Sequence, residues 1–331
     1  MCIRDRSIII PVWNGATYIC RAIDCILSQN CDVEILVVDD YSVDNTRQIV
    51  ESYCERDSRV HILTNKLQKG VTGARLCGAQ QASGLYLFFM DVDDVLPALC
   101  LPQLLSTIAN NRDVDMVIGD ICDITSSGNI SFRQYGSINI KTGRQLVDWI
   151  MENSCGYIWG KAIRKTLFLK IKVVPFDLKF CEDYVQMIQL AYICQRIIHI
   201  AGPTYNYIQN YNSVCNQPIL RKEYAERFYH LCIYLRELID CKCFQEDALI
   251  TQIKIKILYY ARLYLWINGQ WGNDNSSLKK TIKVYLSDQY VRRDDKFMKG
   301  RYWQTLFTTY VPWIWAFIYV PLLKYKYHRI K

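Results

Sequence analysis

Short runs of strongly apolar residues alternate with amphipathic segments along the first part of the chain. The apolar runs are rich in Val, Ile, Leu and Phe, which is typical of strands covered on both faces of a sheet. In the segments between them, apolar residues recur at the spacing of one helix face. The predicted strands are residues 7–13, 33–40, 59–64, 85–91 and 115–121, and the predicted helices are residues 19–29, 45–55, 72–84 and 97–110.

This alternation predicts an α/β fold. Strands separated by helices at intervals of roughly 20 to 25 residues favour crossover connections and a mostly parallel sheet flanked by helices. Beyond residue 130 the pattern changes and helical segments dominate. They cover residues 143–153, 161–170, 182–195, 218–240, 245–267 and 277–291, with short extended pieces at 196–200 and 204–209.

Carboxylates follow two of the predicted strands directly. Asp39 and Asp40 end the second strand, and Asp91 and Asp93 end the fourth. Ligands of parallel α/β sheets bind beyond the carboxyl ends of the strands. We therefore expect these acids to meet in one cleft, together with residues 11–13 at the end of the first strand.

The spacing of Asp91 and Asp93 indicates a cation. Side chains two residues apart in a strand point to the same side, and two anions about 4 Å apart repel by roughly 4 kcal/mol at an effective dielectric constant near 20. A divalent cation removes that repulsion, and hard oxygen ligands favour Mg²⁺ or Mn²⁺. Because Mg²⁺ fills its remaining positions with water and phosphate oxygens, the pair predicts a site for a metal and a diphosphate.

Two other interpretations of the acids stay open at this point. Acidic residues also cluster at helix N-termini, where the helix dipole stabilises them, and Asp94 suits that role before the helix at 97–110. A phosphatase with an aspartyl nucleophile also has two acids at this spacing, but Gly-Thr or Gly-Val usually follows them. Here Asp94 and Val95 follow, which argues against a phosphatase.

The charge of the chain is unevenly distributed. The net charge is +8, yet residues 221–331 hold 20 Lys and Arg against 10 Asp and Glu, and the first 220 residues hold 20 against 22. An enzyme acting on nucleic acid would carry positive charge around its active site, so we predict no nucleic-acid partner. A basic region beside apolar stretches instead suggests an anionic membrane surface.

The fifteen cysteines do not indicate a metal site or a disulfide framework. Their number is odd, and spacings such as that of Cys20, Cys25 and Cys31 match no zinc pattern. We expect reduced thiols, most of them small core residues, in a cytoplasmic protein.

Four motifs occur in a fixed order: SIIIPVWNGATYICRAIDCILSQ, VEILVVDDYSVDNT, KGVTGARLCGAQQASGLYLFFMDVDDVL and FCEDYVQMIQL. Together they resemble the family 2 glycosyltransferases, inverting enzymes with the GT-A fold, of the bacterial surface-polysaccharide type. The resemblance implies a catalytic domain over residues 7–215, with a nucleotide-binding half at 7–121 and an acceptor half at 122–215. A helical C-terminal region would follow at 216–331, and residues 1–6 receive no role.

The resemblance also implies roles at the donor. Pro11, Trp13 and Asn14 would line the base pocket, Asp40 with Asp39 beside it would contact the uracil or ribose, and Arg75 would reach the donor phosphates. Asp91 would face the ribose and Asp93, with Asp91, would hold Mg²⁺ or Mn²⁺. The residues expected at the nucleotide are thus Pro11, Trp13, Asn14, Asp39, Asp40, Arg75 and Asp91.

Simpler explanations exist for part of this set. Asp39 or Asp40 would also suit the capping of a turn, and Trp13 would suit packing. The chain also departs from the common VVDDGS motif by having Tyr41 where a glycine would allow a tight turn with positive φ. This departure leaves the conformation of the loop and the choice of base open.

Glu182 and Asp183 open the predicted helix at 182–195. A carboxylate at a helix N-terminus is stabilised as an anion, and that alone is a structural role. In the family this pair lies at the acceptor side, so the resemblance implies that Asp183 is the general base and that Glu182 orients the acceptor or the loop. The segment around Trp159 and Lys161 implies further candidates for contact with a donor or acceptor sugar and with phosphate, while a packed Trp159 and a solvated Lys161 are equally good alternatives.

The last residues of the chain are apolar and aromatic, interrupted by Pro312 and Pro321, and end in KYKYHRIK. Tyr and Trp suit the membrane interface and basic residues suit anionic head groups, so we expect residues 303–331 to lie on the inner face of the cell membrane. A helix packed under the catalytic domain is the alternative. Membrane fractionation of chains with and without 303–331 distinguishes the two.

The expected activity is the transfer of a sugar from a nucleotide diphosphate sugar, in this family most often a UDP-sugar, to a hydroxyl of a glycan or lipid-linked acceptor. The expected setting is the synthesis of capsule, O-antigen or exopolysaccharide. Two other classes are weighed against it. A non-catalytic nucleotide-sugar binder is expected to have lost Asp93 or Asp183, and a nucleotidyltransferase usually carries a glycine-rich basic loop after its first strand, which PVWNGATY lacks.

Overall fold

The structure is a computed structural model. It describes residues 6–133, 140–153, 156–178, 181–209, 222–268, 276–288 and 291. The chain divides into two compact units, Met1–Asn216 and Gln217–Lys331. The predicted tail at 303–331 and the leader at 1–5 lie outside the described residues.

The first unit is built on an eight-stranded sheet. Its strands are β1 (Arg6–Val12), β2 (Glu34–Asp39), β3 (Val60–Thr64), β4 (Tyr86–Phe89), β5 (Met116–Ile124), β6 (Ile130–Arg133), β7 (Lys161–Arg164) and β8 (Ile197–Ile208). The order across the sheet is β3-β2-β1-β4-β7-β5-β6, and β8 also pairs with β5. The strands β3, β2, β1 and β4 run parallel, as does the β5–β8 pair. The pairs β4–β7, β5–β7 and β5–β6 are antiparallel.

Helices flank this sheet and make up the described part of the second unit. They are α1 (Ile19–Leu27), α2 (Thr46–Arg56), α3 (Val71–Gln81), α4 (Cys100–Asn110), α5 (Gly143–Asn153), α6 (Lys165–Phe168), α7 (Glu182–Ile193), α8 (Lys222–Asp240), α9 (Asp247–Asn268) and α10 (Ser276–Ser287). The predicted α/β class with a helical C-terminal region is confirmed. In the described part of the chain, no helix combines the length and the apolar character that a membrane crossing requires.

One predicted helix is wrong. Residues 161–164 form β7, and only the short α6 follows them. Ile163 pairs with Leu87 of β4 on one side and with Met116 of β5 on the other. A helix at this place would leave the backbone groups of two buried strands without partners, which costs more than a local helical preference provides. The extended conformation predicted at 196–200 and 204–209 is confirmed, and the two pieces belong to one strand, β8.

The core of the first unit lies between the strands and their covering helices. Ile8 and Ile9 of β1 and Leu36 and Val37 of β2 are at most 3% exposed. Because successive side chains point to opposite faces of a strand, both faces of these strands are buried. The twelve cysteines that the structure describes are free thiols, and several of them are buried.

Helix α3 lies unusually close to the sheet. A Cβ atom on Gly78 would lie 2.6 Å from Ile9 Cγ2 and 3.0 Å from Val38 Cγ2, so the bare helix backbone rests on β1 and β2. Both neighbours are β-branched and buried, and such side chains have few rotamers with which to make room. The close approach fixes the depth of α3 against the sheet.

We expect Gly78→Ala to destabilise the protein by about 1 to 3 kcal/mol through overpacking. Helix propensity alone predicts the opposite sign, since Ala is favoured over Gly by about 1 kcal/mol in a helix. Urea unfolding measures the change, with Gln80→Ala on the exposed side of the same helix as the control. A Gly78→Ala protein more stable than wild type contradicts the close packing of α3.

Candidate active site

The carboxyl ends of β1, β2 and β4 lie together at one edge of the sheet. Val12 at the end of β1 pairs with Asp39 at the end of β2, and Ile9 pairs with Phe89 at the end of β4. The backbone N–H of Asp40 donates to the carbonyl of Val12 at 2.8 Å. The parallel register therefore delivers the acids that follow β2 and β4 to the same edge, as the sequence predicts.

A buried arginine joins the acids of this edge to those of α7. The side chain of Arg75, on α3, is 2% exposed. Its Nη2 lies 2.8 Å from Asp91 Oδ1, its Nη1 lies 3.4 Å from Glu182 Oε1, and Nη1 also donates to Asp183 Oδ1. We call Arg75, Asp91, Glu182 and Asp183 the Arg75 cluster. The guanidinium expected at the donor phosphates thus lies among three carboxylates.

Two acids of the Arg75 cluster, Glu182 and Asp183, have raised pKa values. Burial and the neighbouring charge of Asp183 raise the pKa of Glu182 to about 8, against the opposing charge of Arg75. Burial also raises the pKa of Asp183, while Arg75 lowers it and Asp91 raises it. Glu182 is therefore the member of the pair that retains a proton more readily, while Arg75 favours the ionised form of Asp183.

Asp183 is held at both oxygens. Its Oδ1 accepts from Arg75, and its Oδ2 accepts the backbone N–H of Ile158 at 3.3 Å. Each carboxylate oxygen has two lone pairs, so each retains capacity for a further hydrogen bond. The position at the N-terminus of α7 adds stabilisation of the anion by the helix dipole.

The loop after β4 is anchored from β8. The backbone N–H of Asp91 donates to the Tyr205 hydroxyl at 2.9 Å, and Asp94 Oδ1 accepts the backbone N–H of Ile208 at 2.8 Å. Asp94 is 1% exposed, and burial together with the charges of Asp91 and Asp93 raises its pKa well above the ordinary value. Asp94 therefore fastens the loop to the strand rather than capping the next helix.

The carboxylate of Asp93 lies close enough to Asp91 for the charge of Asp91 to change its pKa. Burial and then the charge of Asp91 raise the pKa of Asp93, while Arg21 lowers it. The Arg21 guanidinium donates to the Asp93 carbonyl at 2.5 Å rather than to its carboxylate. The carboxylate of Asp93 thus lies next to another anion, which is the arrangement that a divalent cation stabilises.

The oxygen donors at this place suit Mg²⁺ or Mn²⁺ in a particular way. Within the described ranges, no group of three or more His, Cys, Asp and Glu residues could hold a metal ion by itself. Mg²⁺ characteristically binds through one or two carboxylates and completes its shell with water and phosphate. Asp93, with Asp91 beside it, fits that mode of binding and does not fit an all-protein metal cage.

Hydrogen bonds join the loop after β1 to the loop after β2. The backbone N–H of Asn14 donates to Ser42 Oγ at 2.9 Å, and Asn14 Oδ1 accepts the N–H of Val43 at 2.8 Å. Pro11 is buried within β1, whereas Trp13 is 65% exposed. Of the two interpretations of Trp13, the exposed ring agrees with a ligand contact better than with packing.

Tyr41 adopts the conformation that a glycine would take. Its φ is +66°, in the left-handed region that disfavours residues with a Cβ. Its ring is 47% exposed, and Lys69 Nζ lies 4.7 Å from the ring centroid. The tight turn is therefore kept despite the tyrosine, and the turn presents a second aromatic ring near this edge of the sheet.

Asp39 and Asp40 both make structural hydrogen bonds. Asp39 Oδ1 accepts the N–H of Ser42 at 3.0 Å, which is the turn-capping role considered above. Asp40 accepts from Asn65 Nδ2 at 2.6 Å and from the N–H of Gly70 at 2.8 Å. Because Gly70 immediately precedes α3, Asp40 ties the end of β2 to the helix that carries Arg75.

Trp159 does not offer a surface on which a sugar could stack. It is 4% exposed, and its ring stacks with those of Tyr157, Tyr205 and Tyr207 at centroid distances of 4.4, 4.4 and 5.6 Å. The packing alternative holds for this residue because neighbouring rings occupy the space that a sugar would need. We therefore do not retain Trp159 as a sugar contact.

Lys161 is buried rather than solvated. It is 2% exposed, and its Nζ lies 3.3 Å from the carbonyl of Trp159. Burial raises the pKa of Asp183, and the positive charge of Lys161 opposes part of that rise. Lys161 therefore acts on the electrostatics of the base candidate, and its predicted contact with phosphate stays a prediction.

Two contributors to this site were not found from the sequence. Tyr205 supports the Asp91 loop, and the backbone of Ile158 supports Asp183. A tyrosine-rich strand is visible around 205–209, but the partner of each hydroxyl depends on tertiary packing.

Comparison with known proteins agrees with this geometry. A sequence model described as Glycosyl transferase family 2 matches residues 7–170. Glycosyltransferase GlyG of Streptococcus pneumoniae serotype 4 is 26% identical over 262 residues, which cover 75% of this chain and 84% of that protein. The UDP-Glc:alpha-D-GlcNAc-diphosphoundecaprenol beta-1,3-glucosyltransferase WfgD of Escherichia coli is 40% identical over 107 residues, 32% of this chain and 42% of that protein.

A solved structure shares the fold. The crystal structure of S. aureus TarS in complex with UDP-GlcNAc has a TM-score of 0.59 at 18% identity and covers 85% of this chain and 80% of that chain. The sheet with acids at its edge is the GT-A type of glycosyltransferase fold, as predicted. Residues 7–170 of the chain match glycosyltransferase family 2 and form a domain of that family.

The raised pKa of Glu182 gives a pH-dependent stability. The folded protein holds this proton up to about pH 8, whereas an unfolded glutamate loses it near its ordinary pKa of about 4.3. Between these values the folded state binds more protons, so the contribution of Glu182 is fully present at low pH and is lost as pH rises.

We expect Glu182→Gln, which cannot ionise, to gain in Tm relative to wild type as the pH is raised from about 5 to about 9. Thermal unfolding across this range measures the difference. Glu152→Gln on the exposed side of α5 is the matched control and should show a constant difference. A constant difference for Glu182→Gln as well contradicts the protonated state of this side chain.

Proposed function

We propose that this protein transfers a sugar from a UDP-sugar to a hydroxyl of a glycan or lipid-linked acceptor, with inversion, during the synthesis of a surface polysaccharide such as capsule, O-antigen or exopolysaccharide. The names of the relatives support the donor and the acceptor, since WfgD uses UDP-Glc and a diphosphoundecaprenol acceptor and TarS binds UDP-GlcNAc. The preference for uridine rests on these relatives.

One observation carries the proposal: Asp91 and Asp183 contact the same guanidinium. Asp91 belongs to the sheet edge at which the family binds the donor, and Asp183 belongs to the helix that the family places at the acceptor. Two carboxylates that share one arginine lie within the dimensions of a single sugar–diphosphate site. A chain that only binds nucleotide-sugars would have no use for a second carboxylate so close to the first.

In the proposed reaction Asp183 acts as the general base. The acceptor hydroxyl donates to one oxygen of Asp183, transfers its proton there and attacks the anomeric carbon from the side opposite the diphosphate. The bond to the diphosphate breaks as the new glycosidic bond forms, which inverts the configuration. A base whose pKa is raised by burial lies nearer the working pH, where proton transfer is more effective.

Glu182 has a different part in the proposal. Because it holds a proton at neutral pH, it can donate a hydrogen bond to the acceptor or to a neighbouring loop, which a carboxylate cannot do. It also leaves Asp183 as the ionised member of the pair next to Arg75. The division of roles between the two acids follows from their pKa values.

At the donor side we propose that Asp93, with Asp91, holds Mg²⁺ or Mn²⁺. When bound, the cation would neutralise charge that develops on the departing diphosphate. Pro11, Trp13 and Asn14 would contact the base. Asp39 and Asp40 would complete the pocket by shaping the loops of this edge, since their carboxylates are already engaged with Ser42, Asn65 and Gly70.

The domain organisation is also part of the proposal. The donor would be bound by residues 7–121 and the acceptor by residues 122–215. We propose no role in substrate binding for residues 216–331. The division of the chain at Asn216 into two compact units supports this assignment.

We expect Asp183→Asn to reduce sugar transfer by about 10²- to 10⁴-fold, the usual contribution of a general base. The affinity for UDP should stay within a few-fold of wild type, because the proposed base does not contact the nucleotide. Transfer to acceptor is followed by product analysis, and UDP binding by calorimetry. Asp148→Asn on α5 makes the same chemical change outside the Arg75 cluster, and wild-type turnover in Asp183→Asn contradicts the assignment of the base.

We expect the affinity for UDP to fall at least tenfold when divalent cations are removed by a chelator and to recover on addition of Mn²⁺. Asp93→Asn should weaken UDP binding in Mn²⁺ and abolish the dependence on the metal, since the carboxylate that holds it is gone. Calorimetry of UDP binding with and without Mn²⁺ measures both. Metal-independent binding by wild type would remove the metal from the proposal and leave the base untouched.

A further inference from the structure

Arg75 is a deeply buried charged side chain of the site, and family resemblance assigns it to the donor phosphates. Its surroundings indicate another role. We propose that Arg75 is a positioning residue, whose guanidinium holds the donor-side carboxylate Asp91 and the base Asp183 at a fixed separation and takes no part in binding the donor. This inference rests on the proposed role of Asp183 as base.

The first support is the division of the carboxylates between the two ends of the guanidinium. Nη2 contacts Asp91, while Nη1 contacts Asp183 and Glu182. A guanidinium is planar, and its N–H groups point in fixed directions. Acceptors bound at Nη1 and Nη2 are therefore held at a set distance and angle from each other, which a flexible ammonium group cannot achieve.

The second support is the immobility of the helix that carries Arg75. Gly78 brings α3 against Ile9, and a Cβ on Gly73 would lie 1.8 Å from the carbonyl oxygen of Gln68. The start of α3 is tied to β2 through the hydrogen bond from Gly70 to Asp40. Because α3 is fixed at these points, the Arg75 side chain projects from a rigid base.

The third support is the balance of charge around the guanidinium. Three acidic side chains face it, among them the proposed base Asp183, and the Arg75 side chain is 2% exposed. To reach a phosphate, Arg75 would have to leave carboxylates that are themselves largely buried and would then lack their main cation. Removing one partner of a buried ionic network is strongly unfavourable. The network therefore favours an arginine that stays in place when the donor binds.

Spacing by Arg75 would affect the rate of sugar transfer more than the affinity for the donor. The acceptor hydroxyl must meet both the base and the anomeric carbon, and a misplacement of about 1 Å between reacting groups can lower a rate about 100-fold. Asp91 lies on the donor side and Asp183 on the acceptor side. By spacing these two carboxylates, Arg75 sets the distance between the two substrates at the moment of transfer.

The test is Arg75→Lys, which keeps the positive charge and loses the planar fork. We expect kcat to fall about 100-fold while the Kd for UDP in Mn²⁺ changes less than threefold. In Arg75→Ala, added methylguanidinium should restore part of kcat, and methylammonium should not. Arg196→Lys is the matched control, because Arg196 forms an exposed ion pair with Asp113 and should tolerate the change.

Two results would overturn the inference. A tenfold or greater loss of UDP affinity in Arg75→Lys with kcat unchanged would make Arg75 a donor ligand. Wild-type values of both constants would show that the spacing does not depend on it. If wild type itself neither transfers nor hydrolyses a UDP-sugar, the proposed function fails, and that failure is separate because it is seen before any substitution.

If the Arg75 variants do not fold, chemical modification of the wild-type protein tests the same inference. Phenylglyoxal modifies accessible arginines, and peptide mass spectrometry locates the modified sites. A positioning Arg75 should stay unmodified with and without UDP, while exposed Arg196 is modified in both conditions. An Arg75 that is modified in the free protein and protected by UDP would contradict the inference.

Discussion

The charge of Arg75 cannot be left unpaired in the interior of the protein, and this constraint organises the site. A buried cation needs carboxylates in contact, and the Arg75 cluster supplies them from the loop after β4 and from the start of α7. The sheet edge proposed for the donor and the helix that carries the proposed base are thereby joined by one group. Acids that lie about one hundred residues apart in the sequence become neighbours.

The rest of the first unit supports that junction. The parallel strands β1, β2 and β4 bring the acidic loops to a common edge, and the close packing of Gly78 sets the depth of the helix bearing the arginine. Tyr205 and Asp94 fasten the loop after β4 to β8. Hydrogen bonds made away from the substrates thus fix the groups that would meet them.

The sequence was sufficient for the elements with strong local signals. The buried strands at 7–13 and 33–40 and the acids that follow β2 and β4 could be predicted because apolar runs, helical spacing and the carboxyl-end rule depend on neighbours along the chain. The pairing of β7 between β4 and β5 could not, since residues 161–164 have no strong strand preference and are held extended by two distant partners.

The surroundings of individual side chains could not be predicted from the sequence either. The enclosure of Arg75 by three acidic side chains and the burial of Trp159 among tyrosines both depend on long-range packing. A motif indicates which residue types occur at a site, whereas the direction of each side chain is decided by the elements packed around it. Tyr41 shows that backbone conformation can also be decided by its surroundings, because the turn imposes a positive φ on a residue that does not favour it.

The most direct test of this account is a crystal structure of the protein with Mn²⁺ and an unreactive UDP-sugar analogue. The account predicts the diphosphate beside Asp93 at the edge formed by β1, β2 and β4, with the Arg75 guanidinium still in contact with both Asp91 and Asp183. A diphosphate bound elsewhere, or an Arg75 turned away from Asp183 to bind phosphate, would contradict it.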